Sequence, residues 1–143
     1  MTVARILAQK GREVTTIRPH QPLRDAVDIL AAKHIGSLVV TDVNGKMHGI
    51  VSERDIVRMI AKRGCDALDD PVSAVMTADV VTASEDESVI SVVQKMSRGR
   101  FRHMPVVVEG RLVGMVSTGD AVKYRLEQME QEQSALRDYI ATA

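Results

Sequence analysis

"GIVSERD" at residues 49–55 and "GMVSTGD" at residues 114–120 share one pattern: Gly, two apolar residues, Ser, two variable residues, Asp. The likeness extends well beyond the phrase. A shift of 66 positions lays "VTTIRPHQPLRDAVDILAAKHI" (14–35) on "VVTASEDESVISVVQKMSRGRF" (80–101). Leu23, Ala26, Val27 and Leu30 then fall on Val89, Val92, Val93 and Met96, both sets at the i, i+3, i+4, i+7 spacing of a helix. After a one-residue gap, "SLVVTDVNGKMHGIVSERD" (37–55) matches "HMPVVVEGRLVGMVSTGD" (103–120), with the "NG" and "EG" turns in register.

Each repeat therefore predicts the same order of elements. A β-rich start (Val14 to Ile17; Val80 to Thr82) precedes a polar turn, and an amphipathic helix begins near Pro22 or Ser88. A strand (Leu38 to Thr41; Pro105 to Val108), a Gly-containing hairpin turn and a second strand (Met47 to Val51; Leu112 to Val116) follow. The Ser–Asp phrase then opens another helix, Asp55 to Ala61 or Asp120 onward. A unit of about 60 residues buries too little surface to stand comfortably alone, so the two repeats are expected to pair. The reading divides the chain into 1–65, 66–128 and a helical extension at 129–143. The connecting stretch "KRGCDALDDPVSAVM" (62–76) is a lead-in too apolar at its end to be a flexible tether.

Composition narrows the function classes. Nineteen Lys plus Arg balance nineteen Asp plus Glu, so no net basic field collects nucleic-acid phosphates. Phe101, Tyr124 and Tyr139 are the aromatics, too few for stacking single-stranded bases. Cys65 stands alone, which excludes an internal disulfide and suits a reducing compartment, the cytoplasm being the expected one. No apolar run approaches the roughly 18 residues of a membrane span. His20, His34, His48 and His103 show no metal-ligand spacing, and no acid, base and nucleophile set marks an enzyme.

Ser followed three residues later by Asp, between a strand and a helix, is first a helix-capping arrangement. A cap leaves the Gly and the apolar pair before it unexplained. A helix N-terminus also presents free backbone N–H groups and the positive end of the macrodipole, which attract phosphate. An Asp one turn into the helix can accept from ribose hydroxyls. The two together suit a nucleotide.

On these residues the chain resembles a tandem pair of CBS domains, a Bateman module, from about Val3 to Gln128. "HMPVVV" matches the family's second strand closely, while "SLVVTD" carries Val39 where Pro is frequent. The resemblance implies an α/β (α+β) fold of two βαββα repeats, packed sheet against sheet with pseudo-two-fold symmetry, followed by a long C-terminal helix. It implies two clefts that bind adenosine nucleotides, Ser52 and Asp55 marking one, Ser117 and Asp120 the other. Asp is expected to hold ribose and Ser the phosphate. Val80 and Val81 wall the first cleft and Val14 and Thr15 the second, with Thr16, Thr82, Ser37, Met104, Pro105 and Thr118 completing the implied contact set. Arg102 and His103 occupy the place of a basic pair facing phosphate; Gly36 and Ser37 stand there in repeat one, where Arg54 can supply the charge.

The resemblance further implies a regulatory module with no catalytic cofactor and an unidentified effector protein on another chain. AMP is the first choice of ligand, because one helix end and one or two basic groups match about two negative charges. ADP, ATP, NADH and S-adenosylmethionine are the alternatives. A structural assembly module with empty clefts is the alternative function. A homodimer is expected. Leu126, Met129, Leu136 and Ile140 recur at spacings of 3, 7 and 4 along the tail, with Gln133 interrupting the seam. This stripe reads either as packing on the helix's own domain or, by a small margin, as a dimer contact.

Overall fold

The computed structural model describes residues 2–142. Two halves follow one another. The first holds α1 (Val3–Lys10), β1 (Thr16–Ile17), α2 (Leu23–Lys33), β2 (Ser37–Thr41), β3 (Met47–Ser52) and α3 (Glu53–Arg63). After 3-10 turns at Gly64–Asp69 and Val72–Ala74, the second holds α4 (Val89–Gly99), β4 (His103–Val108), β5 (Arg111–Ser117) and α5 (Thr118–Thr142). The mixed α/β architecture and the long terminal helix are as the sequence leads one to expect.

In the first half β1 lies parallel to β2, which pairs antiparallel with β3. Leu38, Val40 and Val51 turn into a core with Ile17, Leu23, Ala26 and Leu30. Val39 points to the opposite face and is also fully buried. The sheet is thus covered on both sides.

The second half repeats this with one loss. Val80 to Thr82 form no strand; the parallel partner of β4 is reduced to a single bridge at Ala83, through Ala83 N–H to Pro105 O (2.9 Å) and Val107 N–H to Ala83 O (3.0 Å). Ala83 is the counterpart of Ile17, so the register is kept while the strand shrinks. The reason lies in the side chains. Ile17 is a β-branched residue buried in its core, and alanine offers little surface to hold a strand against its neighbour.

The pseudo-two-fold axis passes between the hairpin tips. Met47 N–H donates to Gly110 O and Leu112 N–H to Gly45 O, both at 3.0 Å, a reciprocal pair across the two halves. The lead-ins obey the same symmetry and cross over. Val3 N–H donates to Glu87 O (3.0 Å) in the second half, and Val72 N–H donates to Gln21 O (2.8 Å) in the first. Val3, Ile6 and Leu7 of α1 accordingly pack in the core with Val92, Met104 and Val116, while Val72, Val75 and Met76 join the core of the first half.

Helix α1 was not anticipated from the sequence. Val3, Ile6, Leu7 and Lys10 carry the helical spacing that could have revealed it, with Gly11 as the stop. No helix among the described residues is long and apolar enough to cross a membrane.

Candidate functional site

Both Ser–Asp phrases sit where a strand runs directly into a helix, and both form reciprocal caps. Asp55 N–H donates to Ser52 Oγ (3.2 Å), while Ser52 N–H (2.9 Å) and Oγ–H (3.0 Å) donate to Asp55 Oδ2. In the second copy Asp120 N–H donates to Ser117 Oγ (3.0 Å) and Ser117 N–H to Asp120 Oδ2 (2.9 Å). The capping component of the phrase is therefore real in both halves. In each, Oδ2 alone is used by the cap, and Oδ1 has no hydrogen-bond partner among the described residues.

The glycine that opens each phrase has a packing role. A Cβ on Gly49 meets Thr77 O at 2.5 Å and Met76 Sδ at 3.0 Å; a Cβ on Gly114 meets Leu7 Cδ2 at 2.7 Å. These neighbours belong to the lead-in that crosses from the other half. Ile50, next along, exchanges backbone bonds with Thr77, N–H to O at 2.9 Å and 2.8 Å in return. The apolar pair divides its work in the same way. Val51 and Val116 fill their own cores, whereas Ile50 and Met115 lie half-buried where the lead-in passes.

The crossing brings each lead-in to the opposite phrase. Thr77 pairs two residues before Ser52 and runs on into Val80 and Val81, the former half-buried and the latter exposed. Helix α1 ends against the second phrase and runs on into Val14 and Thr15. Lys10 Nζ donates to Met115 O (3.0 Å) and to Asp120 Oδ2 (2.6 Å). Sequence reasoning did not single out Lys10.

The basic pair also stands beside the second phrase. His103 pairs with Ser117 across β4 and β5, and Thr118 N–H donates to Arg102 O (2.8 Å), which leaves both basic side chains exposed at the start of α5. Met104 and Pro105 are buried: Met104 belongs to the core, and Pro105 O takes the Ala83 bridge. In the first half Ser37 pairs with Ser52, and Gly36 O accepts from Glu53 N–H (2.9 Å). Glu53 and Arg54 are both exposed on the first turn of α3. The second junction thus has Lys10 bound to Asp120, with the exposed Arg102 and His103 at the adjoining strand end, whereas the first has the exposed Arg54 between Glu53 and Asp55.

Val14 and Thr16 open on a cavity of about 280 Å³, together with Arg12 and Arg18 of the first half and Leu112 of the second. Arg18 is fixed there by Thr41, donating to its backbone O (3.2 Å) and Oγ1 (2.9 Å). Arg12 pairs with Glu85. The cavity lies on the inter-half face of the first sheet and does not include either Ser–Asp pair.

Burial pushes the Asp120 carboxyl up, but hydrogen bonds from Lys10 and Ser117, with the Lys10 charge, outweigh it and hold the group below its ordinary value. A carboxyl depressed in the folded state adds stability that is present above the unfolded value and lost as pH falls through the folded one. The Lys10→Met variant is therefore expected to be less stable than the parent at neutral pH, by about 1 kcal/mol or less given the solvent exposure of the pair. Denaturant melts across pH should show that gap closing below the ordinary carboxylate range. A gap that stays constant into acid would mean that Lys10 acts through its packing or its bond to Met115 O.

Comparison with known proteins agrees with this geometry. The CBS domain family matches residues 6–62 and 72–127. A 17.7 kDa protein of Acidianus ambivalens is 34% identical over 116 residues, covering 80% of this chain and 69% of that protein. Two curated relatives from Arabidopsis thaliana, each 30% identical over 115 residues, are longer, and the chain spans 21% of the length of each. The crystal structure of the CBS-domain protein ATU1752 from Agrobacterium tumefaciens superposes with a TM-score of 0.79 at 41% identity, covering 87% of this chain and 99% of that one. The CBS domain pair of protein MJ0100, solved in complex with 5′-methylthioadenosine and S-adenosyl-L-methionine, gives 0.75 at 29% identity, covering 90% and 98%. The chain belongs to the CBS domain family, as two such domains in tandem.

Proposed function

We propose that this CBS pair binds adenosine nucleotides at its two strand–helix junctions and reports their occupancy to a partner chain or within its own dimer, performing no chemistry itself. The observation that carries this reading is the unspent Oδ1 of Asp55 and Asp120. Each cap consumes one carboxylate oxygen and leaves the other able to accept from a ribose hydroxyl, beside a helix N-terminus suited to phosphate. The adenosine ligands held by the MJ0100 pair support the class of ligand.

The charges favour the second junction for a phosphate-bearing ligand such as AMP. Lys10 binds Asp120 there and the exposed Arg102 stands at the neighbouring strand end, so two cations are at hand for a phosphate. At the first junction Glu53 and Asp55 oppose Arg54, which suits a nucleoside better than a nucleotide.

Calorimetric titration with AMP and adenosine tests this. Asp120→Ala is expected to weaken the second site by roughly 1.5–3 kcal/mol, the value of hydrogen bonds to a charged group, while leaving the first site nearly intact. Loss of the cap lowers stability by about 0.5–2 kcal/mol in either case, so melts run beside the titration separate the two effects. Arg102→Ala should weaken AMP far more than adenosine. A parent whose melting does not respond to AMP, ADP, ATP, NADH or S-adenosylmethionine would sink the sensing reading and leave an assembly module, because a ligand at about 100 times Kd adds roughly 2.7 kcal/mol.

A further inference from the structure

Helix α5 outruns the fold it belongs to. Ala121 and Tyr124 bury one of its faces against the core of the second half. Val122, Leu126, Met129, Leu136 and Ile140 lie on the other face, each at least 50% exposed. Every described residue from Met129 onward is exposed. With Gln133, these positions alternate at intervals of four and three, the d and a sites of consecutive heptads.

We propose that this seam is covered by the same seam of a second copy, in a parallel, in-register, two-stranded coiled coil. The flanking charges select this occupant and this direction. In a parallel pair each g residue meets the e residue five positions on in the other chain, which sets Arg125 against Glu130 and Glu132 against Arg137, all four being exposed. Arg125 also donates to Gln128 of its own helix (3.1 Å), an interaction that leaves further guanidinium N–H groups available.

An antiparallel pair that matches the apolar layers sets Val122 opposite Ile140 and Leu126 opposite Leu136. The same register brings Glu130 to Glu130, Glu132 to Glu132 and Lys123 to Arg137, every one a like-charge contact. Gln133 adds a second argument. In the parallel register its amide meets the amide of the second copy and both can be satisfied; in the antiparallel one it faces the apolar Met129. The surface does not depend on the nucleotide reading.

The test uses the full chain with Cys65→Ser, so that an introduced thiol is the only one. Light scattering should find a dimer. Arg125→Glu with Arg137→Glu, and separately Glu130→Arg with Glu132→Arg, should each weaken it about tenfold or more, and an equimolar mixture of the two variants should recover it as a heterodimer. All four positions are exposed, and circular dichroism checks that the variants fold. Gln133→Cys should oxidise to a disulfide-linked dimer with itself. The proposal is overturned by a monomer at micromolar concentrations and above, or by an assembly indifferent to both charge reversals. Preferential crosslinking of Gln133→Cys to Met129→Cys chains, the antiparallel outcome, overturns it equally.

Discussion

Leu7→Ala is expected to lower the stability of the whole chain by about 3 kcal/mol, although Leu7 lies in the lead-in to the first repeat and its loss vacates the second. The side chain is 1% exposed and belongs to the cluster built on Val92, Met104 and Val116. Large-to-small changes at such sites cost about 2–5 kcal/mol through lost burial and the cavity left behind. The same side chain is the wall against Gly114, its Cδ atoms lying 2.7 and 2.9 Å from where a Cβ would stand on that glycine. Gly114→Ala alone should therefore cost about 1–3 kcal/mol by overpacking. Combined with Leu7→Ala, which removes the wall, it should cost less than the sum of the two single changes by about 1 kcal/mol. Urea melts of the four proteins complete the cycle. Strict additivity would mean that α1 does not pack against β5 as described.

Gly49→Ala is expected to be as damaging, about 3 kcal/mol, and not to be rescued in this way. Here the obstacle is the Thr77 carbonyl oxygen, 2.5 Å from the new Cβ, and backbone cannot be trimmed by substitution. Relief requires the crossing segment to move away, which breaks the reciprocal Ile50–Thr77 bonds and draws Met76 from the first core. Met76→Ala should recover little, since Met76 Sδ is the more distant neighbour. A Gly49→Ala protein that melts with the parent would show that the lead-in does not cross at β3. The paired variants Gly49→Ala and Gly114→Ala thus distinguish a backbone wall from a side-chain wall at equivalent points of the two repeats.

The repeated phrase illustrates how far sequence reasoning reaches. Ser52 with Asp55 and Ser117 with Asp120 were legible as caps because a cap is a contact between residues three apart in the chain. The glycines were legible as repeated but not as explained. Their partners, Thr77 and Leu7, are remote in sequence, and nothing local to positions 49 and 114 reports them. The unequal basic residues of the two junctions were legible, but the part of Lys10 in the second escaped for the same reason, since Lys10 reaches Asp120 across 110 positions of chain.

Periodicity and turn chemistry by themselves determined the helix, hairpin and following helix of each repeat. The helical spacing from Leu23 and Val89, the "NG" and "EG" turns and the internal match fixed two like units, because these signals act over a few residues and survive without tertiary context. The length of α5 followed in the same way, from a run without Gly or Pro. Tertiary structure alone decided which half each lead-in serves, and therefore which residues stand beside each carboxylate. It also decided that the strand expected at Val80 to Thr82 survives only as the Ala83 bridge, where a small side chain leaves too little burial to hold a strand in place. Local propensity can nominate such a segment, but the surface it buries against distant residues determines whether it pairs.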